Sequence, residues 1–79
     1  MRRFFFDVCR NGELDRDEFG VEFSDRSAAT QAATVALGEM TRDELLNSSG
    51  VQLILLVRDD QDDHFFEASV SFQITRTEN

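Results

Sequence analysis

The sequence contains no proline, no tryptophan and no tyrosine, and only one cysteine and one histidine among 79 residues. Each absence excludes something. A lone Cys9 cannot close an internal disulfide, and with His64 alone it cannot supply the four ligands of a structural zinc site. Such sparing use of cysteine fits a reducing compartment, so a cytoplasmic location is expected. Cys9 could act as a nucleophile only beside a basic group that lowers its pKa, and His64 is the only imidazole available to serve it. No serine or cysteine lies in a nucleophile-elbow pattern either, so triad chemistry has no support. The four glycines, Gly12, Gly20, Gly38 and Gly50, stand singly and form no phosphate-cradling loop. No apolar run approaches the roughly 20 residues of a membrane span. The three phenylalanines after Arg2 and Arg3 give way to Asp7 too soon for a signal-peptide core. The expectation is a soluble chain with no cofactor, no membrane association, no evident small-molecule substrate and no enzymatic activity.

Charge of one sign is also scarce. Sixteen acidic residues face eight basic ones, giving a net charge of −8, and all eight bases are arginine. Nucleic-acid binding needs a clustered basic face, whereas Arg2, Arg3, Arg10, Arg16, Arg26, Arg42, Arg58 and Arg76 are scattered. A basic protein is the easier partner to accommodate. The length fits one domain, 1–79, with residues 1–2 and 77–79 expected to fray. A chain this short buries only about 60 to 65 % of its unfolded surface, so association with a second copy would help to bury what is left over.

From Arg3 to Arg10, Phe4, Phe6 and Val8 alternate with Phe5, Asp7 and Cys9, which predicts a strand. Asn11-Gly12 follows, and both residues tolerate the positive φ of a two-residue hairpin turn. The return strand starts at Glu13 with Leu14 expected toward the core, and Gly20 bends the chain before a brief extended piece, Val21 to Phe23. Asp25 supplies a helix cap. A helix from about Arg26 to Leu46 would present Ala29, Ala32, Ala33, Ala36 and Met40 to the core with Leu37 on the flank, and Asn47 to Gly50 would end it in a left-handed cap. Val51 to Arg58 is apolar on both faces. After the acidic tract Asp59-Asp60-Gln61-Asp62-Asp63, strict alternation from His64 to Arg76 predicts an antiparallel strand with one solvated face. The fold class is α+β: a two-layer β-β-α-β-β arrangement with one amphipathic helix on one face of a mostly antiparallel sheet of about four strands.

The run Arg3-Phe4-Phe5-Phe6-Asp7-Val8, then Asn11-Gly12, Asp17-Glu18-Phe19-Gly20, the Asp25-capped alanine-rich helix and Val57-Arg58-Asp59 resemble a family of short bacterial proteins of unknown function. The resemblance spans nearly the whole chain and implies no activity for any residue. The chain departs from the family pattern at Gln61-Asp62-Asp63, where a glycine turn is common, and at Ile54 and Leu56, where small or charged residues are frequent. A looser similarity, confined to a strand pair, an aspartate cap and an alanine-rich helix, links the chain to partial ribonuclease-H-like domains of antitoxins. It is an analogy of fold.

Three groups could carry chemistry. Asp59, Asp60, Asp62 and Asp63 put four carboxylates in five residues, the donor type that calcium or magnesium takes, but they lack the glycine and bidentate glutamate of a calcium loop, and no metal site is expected. Asp7 could pair with Asp17 as two catalytic carboxylates, although a small two-layer fold offers little cleft, and the structural alternative is an Asp7 that accepts hydrogen bonds or an arginine partner. Phe5, Ile54, Leu56 and Phe65 should point away from the helix and form an apolar patch, the kind of surface that marks an interface. The expected function is a non-enzymatic interaction module that self-associates or binds a protein partner. The alternatives are an acidic, antitoxin-like regulator of a basic partner and a weak divalent-metal binder.

Overall fold

The opening alternation forms strand β1 (Arg2–Arg10) in the computed structural model, which describes residues 1–77. Asn11 and Gly12 adopt φ of 51° and 86°, the two positive values a primed hairpin turn requires, and they return the chain into β2 (Glu13–Asp15) with Arg10 opposite Glu13. Gly20, at φ 71°, then turns the chain into β3 (Val21–Phe23), which pairs with the other end of β1. Arg2 pairs with Phe23 and so belongs to the sheet instead of fraying. The expected frayed end at 77–79 lies, for 78 and 79, outside the described residues.

Asp25 accepts a hydrogen bond from the Ala28 N–H and starts helix α1 (Arg26–Asn47). Its exit differs from expectation. Ser48 ends it in extended backbone with its N–H bonded to the Glu44 carbonyl, and neither Asn47 nor Gly50 takes a positive φ. The chain passes directly into β4 (Gly50–Asp59), so no reversal by a left-handed residue is needed. Four turn residues then lead to β5 (His64–Gln73).

All strand pairs are antiparallel, in the order β2-β1-β4-β5, with β3 sharing the β1 edge with β2. The class is therefore α+β with five strands, the additional one being the three-residue β3. Helix α1 packs mainly on β4 and β5. Ala29, Ala33 and Leu37, spaced by four, form its buried line, so Leu37 is central to the stripe and not on its flank. They meet Phe4, Val51, Leu53, Leu55 and Val57, and all eight are at most 6 % exposed. Two alanines at full burial let the helix backbone approach the sheet closely, and any larger side chain there would overpack it.

Two orientations differ from expectation. Leu14 pairs with Cys9 and therefore lies on the helix-free side, 60 % exposed. Phe65 does not point away from the helix. The pairing shifts from Val57–Phe66 to Arg58–His64, so Phe65 is the extra residue of a bulge, and its ring packs edge-on against Phe4 at 5.8 Å with the Arg26 guanidinium over it. A bulge moves one residue out of the two-residue alternation, which the sequence pattern alone does not register.

Candidate functional site: the helix-free face of the sheet

Because Leu53, Leu55 and Val57 face α1, their neighbours in β4 face the other way, and the register arranges the helix-free side in rows. Leu14, Cys9, Ile54 and Ser69 form one row. Asp7, Leu56 and Glu67 form the next, and Phe5, Arg58 and His64 the third. Phe5, Ile54 and Leu56 thus share the outer face, as their alternation suggests. Cys9 and Leu14 extend that apolar patch, and Phe65 is absent from it.

The third row and Asp7 carry the charge. Arg58 and Asp7 are buried, at 6 % and 2 % exposure, because the segment joining β2 to β3 folds across them. Arg58 Nε donates to Asp7 Oδ2 at 2.9 Å, while its Nη2 donates to the Asp17 carbonyl at 2.7 Å and reaches Asp7 Oδ1 at 3.4 Å. The Asp17 N–H donates to Asp7 Oδ1 at 2.9 Å, and His64 Nε2 lies 3.1 Å from Oδ2. An ionised carboxylate only accepts, so His64 presents Nε2–H to it. The guanidinium also lies 4.3 Å from the centre of the Phe5 ring, so Phe5 is roofed by Arg58.

Asp17 organises the crossing segment. Its carboxylate accepts from the N–H groups of Phe19 and Gly20 on Oδ1 and from Phe6 on Oδ2, the last at 3.1 Å. The bond to Phe6 fills the gap between β2 and β3, where β1 has no strand beside it. Asp7 and Asp17 therefore do not form a pair of carboxylates sharing a proton. Burial pushes the Asp7 carboxyl up, but the bonds from Arg58, Asp17 and His64 outweigh it and hold its pKa below the ordinary value. For Asp17, burial likewise opposes the bonds from Gly20, Phe6 and Phe19, and the bonds again prevail. Both stay ionised at neutral pH, which suits acceptors in a scaffold and not a general acid.

The acidic tract is turned inward at one residue and outward at the others. Asp59 is 3 % exposed, accepts from the Gln61 and Asp63 N–H groups, and pairs with Arg26 at 2.9 Å. Its carboxyl is lowered first by the bond from Asp63 and also by Arg26, against the effect of burial. Asp62 takes a φ of 64°, the conformation a glycine would supply there, and meets Arg16 at 2.9 Å and Arg58 at 3.4 Å. Asp63 meets Arg26 at 3.2 Å. Asp59, Asp60, Asp62 and Asp63 are not brought together on one point, and among the described residues no group of three or more His, Cys, Asp or Glu side chains is placed to hold a metal ion.

Every buried side-chain nitrogen and oxygen among the described residues has a partner. Asp7 and Arg58 are almost wholly closed to solvent. An open pocket of about 500 Å³ lies on the other side of the crossing segment, with Phe6 and Val8 as its floor and Asp15, Asp17, Glu18 and Phe19 among its walls. It contains no nucleophile and no histidine.

A model of a family described as a domain of unknown function, DUF6894, matches residues 3–71. The chain belongs to that family. As a DUF6894 protein, it carries Asp7, Asp17, Arg58 and His64 all within the matched stretch. No curated protein and no solved structure matches the chain. No helix among the described residues of this DUF6894 chain is long and apolar enough to cross a membrane.

Proposed function

We propose that this chain is a non-enzymatic interaction module that works by association, with a second copy of itself as the first partner. One observation carries the reading: a single helix covers one side of a five-stranded sheet, and on the other side Leu14 is exposed while Cys9, Ile54 and Leu56 beside it are only half-buried. Uncovered apolar surface on a sheet is what protein interfaces use, and a two-fold arrangement lets one surface serve both partners. Light scattering across a concentration series tests it. A mass that rises toward twice the monomer mass is expected, and a strict monomer at roughly 1 mM would refute self-association.

A second reading, the acidic regulator of a basic partner, has its own observation. The pocket floored by Phe6 and Val8 is lined by three acidic residues, Asp15, Asp17 and Glu18, against one base, Arg16, and by Phe19, which is 83 % exposed. Docking of a basic segment there should weaken steeply as salt is raised, since exposed charges separated by more than a Debye length are screened.

A further inference from the structure

We propose that the open pocket on β1 receives a lysine or arginine side chain of a basic protein partner, with its aliphatic stem on Phe6 and Val8 and its cation between Asp15 and Glu18. This rests on the acidic-regulator reading and narrows it to one side chain and its contacts. The pocket exists because α1 packs mainly on β4 and β5 and leaves the helix side of β1 partly open. Phe6 and Val8 pack against the margin of the core there and stay only half-buried, and about 500 Å³ of open space lies over them.

Asp15 is opposite Val8 in the ladder, so its side chain stands beside that floor on the same side of the sheet. Glu18 and Phe19 follow on the segment that crosses toward β3 and complete the wall. The neighbouring charges are already engaged within the chain. The Asp17 carboxylate is taken up by the N–H groups of Phe6, Phe19 and Gly20. Arg16, the one base lining the pocket, is held by Asp62 at 2.9 Å, while Arg3 and Arg10 on β1 are held by Glu22 and Glu44. Among the described residues the carboxylates of Asp15 and Glu18 have no hydrogen bond and no ion pair, and both residues are exposed.

The combination selects the occupant. A lysine or arginine lays its apolar stem along an apolar floor while its charge stays at the wet rim, whereas an apolar side chain would desolvate two unanswered carboxylates. Phe19, 83 % exposed, adds an aromatic ring at the rim that attracts the same cation. The net charge of −8 draws a basic partner toward the chain from a distance.

Fluorescence anisotropy with a labelled peptide of alternating lysine and serine, titrated at low and at high salt, is the test. The peptide should bind the wild-type chain at low salt and weaken as salt rises. Asp15→Asn combined with Glu18→Gln should raise its dissociation constant at least about tenfold. Glu39→Gln combined with Asp43→Asn removes the same net charge from exposed helix positions and should raise it less than about threefold. Phe19→Ser, which leaves the net charge alone, should raise it about threefold. All of these residues are exposed, and unchanged circular dichroism is expected for every variant. Equal losses in the two double variants, or an unchanged dissociation constant in Phe19→Ser, overturn the pocket and leave a basic partner attracted by overall charge. No binding at low salt, or binding that salt does not weaken, overturns the acidic-regulator reading as well.

Discussion

Replacing Arg58 with methionine keeps most of the stem volume and removes the guanidinium from a site that is 6 % exposed. Asp7, at 2 % exposure, would lose its two contacts with Arg58, and the Asp17 carbonyl would lose a donor at 2.7 Å. Removing one partner of a buried ion pair costs about 3 to 5 kcal/mol, chiefly because the other charge stays buried. Asp7 would keep the Asp17 N–H and His64, which places the expected cost near the low end, about 3 kcal/mol. A domain of this size has a stability near the low end of about 5 to 15 kcal/mol, so more than half could be lost. With a urea slope of about 1 kcal/mol per molar, the midpoint should fall by about 3 M at unchanged slope, followed by far-ultraviolet circular dichroism. The double variant Asp7→Leu with Arg58→Met removes both charges and should be more stable than Arg58→Met alone. A loss below about 1 kcal/mol for Arg58→Met, the range of an exposed pair, would refute the reasoning. So would a double variant weaker than the single.

Two glycines with positive φ should respond very differently to alanine. At Gly20 an added Cβ would lie 2.8 Å from the Phe4 carbonyl oxygen and 2.9 Å from Phe5 Cε1, so strain and collision together should cost about 3 kcal/mol or more. At Gly12 nothing lies within 4 Å and only the φ of 86° resists, so about 1 kcal/mol is expected, and equal urea midpoints for the two variants would contradict this. Acid should unfold the protein through Asp7, Asp17, Asp59 and Glu44, whose carboxyls are all held below their ordinary values of 3.8 for aspartate and 4.5 for glutamate. Their contribution is present in full above those values and is lost as pH falls through the lowered native ones. Thermal melts should therefore hold level from pH 7 to about 5 and drop below about 4, and a main loss of stability above pH 5 would implicate other groups.

The fold was largely legible because its long elements follow their periods without interruption. Asn11-Gly12 fixes a turn by the dihedral angles it tolerates, Asp25 caps a helix by hydrogen-bond chemistry, and Ala29 and Ala33 mark the buried line. The readings that failed concern residues placed by something other than period. Leu14 follows the pairing dictated by the hairpin and so faces outward with Cys9, although leucine alone suggests the core. Phe65 is displaced by the bulge at the end of β4, and a single apolar residue in a run of two phenylalanines leaves its side undecided. Asn47 and Gly50 are residues fit for a left-handed cap, but the chain leaves α1 through extended Ser48 directly into β4, so that fitness is unused.

The charged cluster was half legible for a related reason. An aspartate in an otherwise apolar strand, as Asp7 is, implies a partner, and Arg58 closes the apolar run from Val51; 51 residues separate them. The pairing of β1 with β4 is what sets Leu56 opposite Asp7 and Arg58 opposite Phe5, bringing the two charges diagonally within reach on one face. Neither periodicity nor composition specifies which strands are neighbours, so the partner could be inferred and not its identity. Asp17 was harder still, since a carboxylate in the polar run Asp15-Arg16-Asp17-Glu18 looks like its solvated neighbours. What distinguishes it is geometric: it accepts three backbone N–H groups and replaces a missing strand at Phe6. That substitution closes the β1 edge with a side chain, whereas among the described residues β5 has β4 as its one strand neighbour.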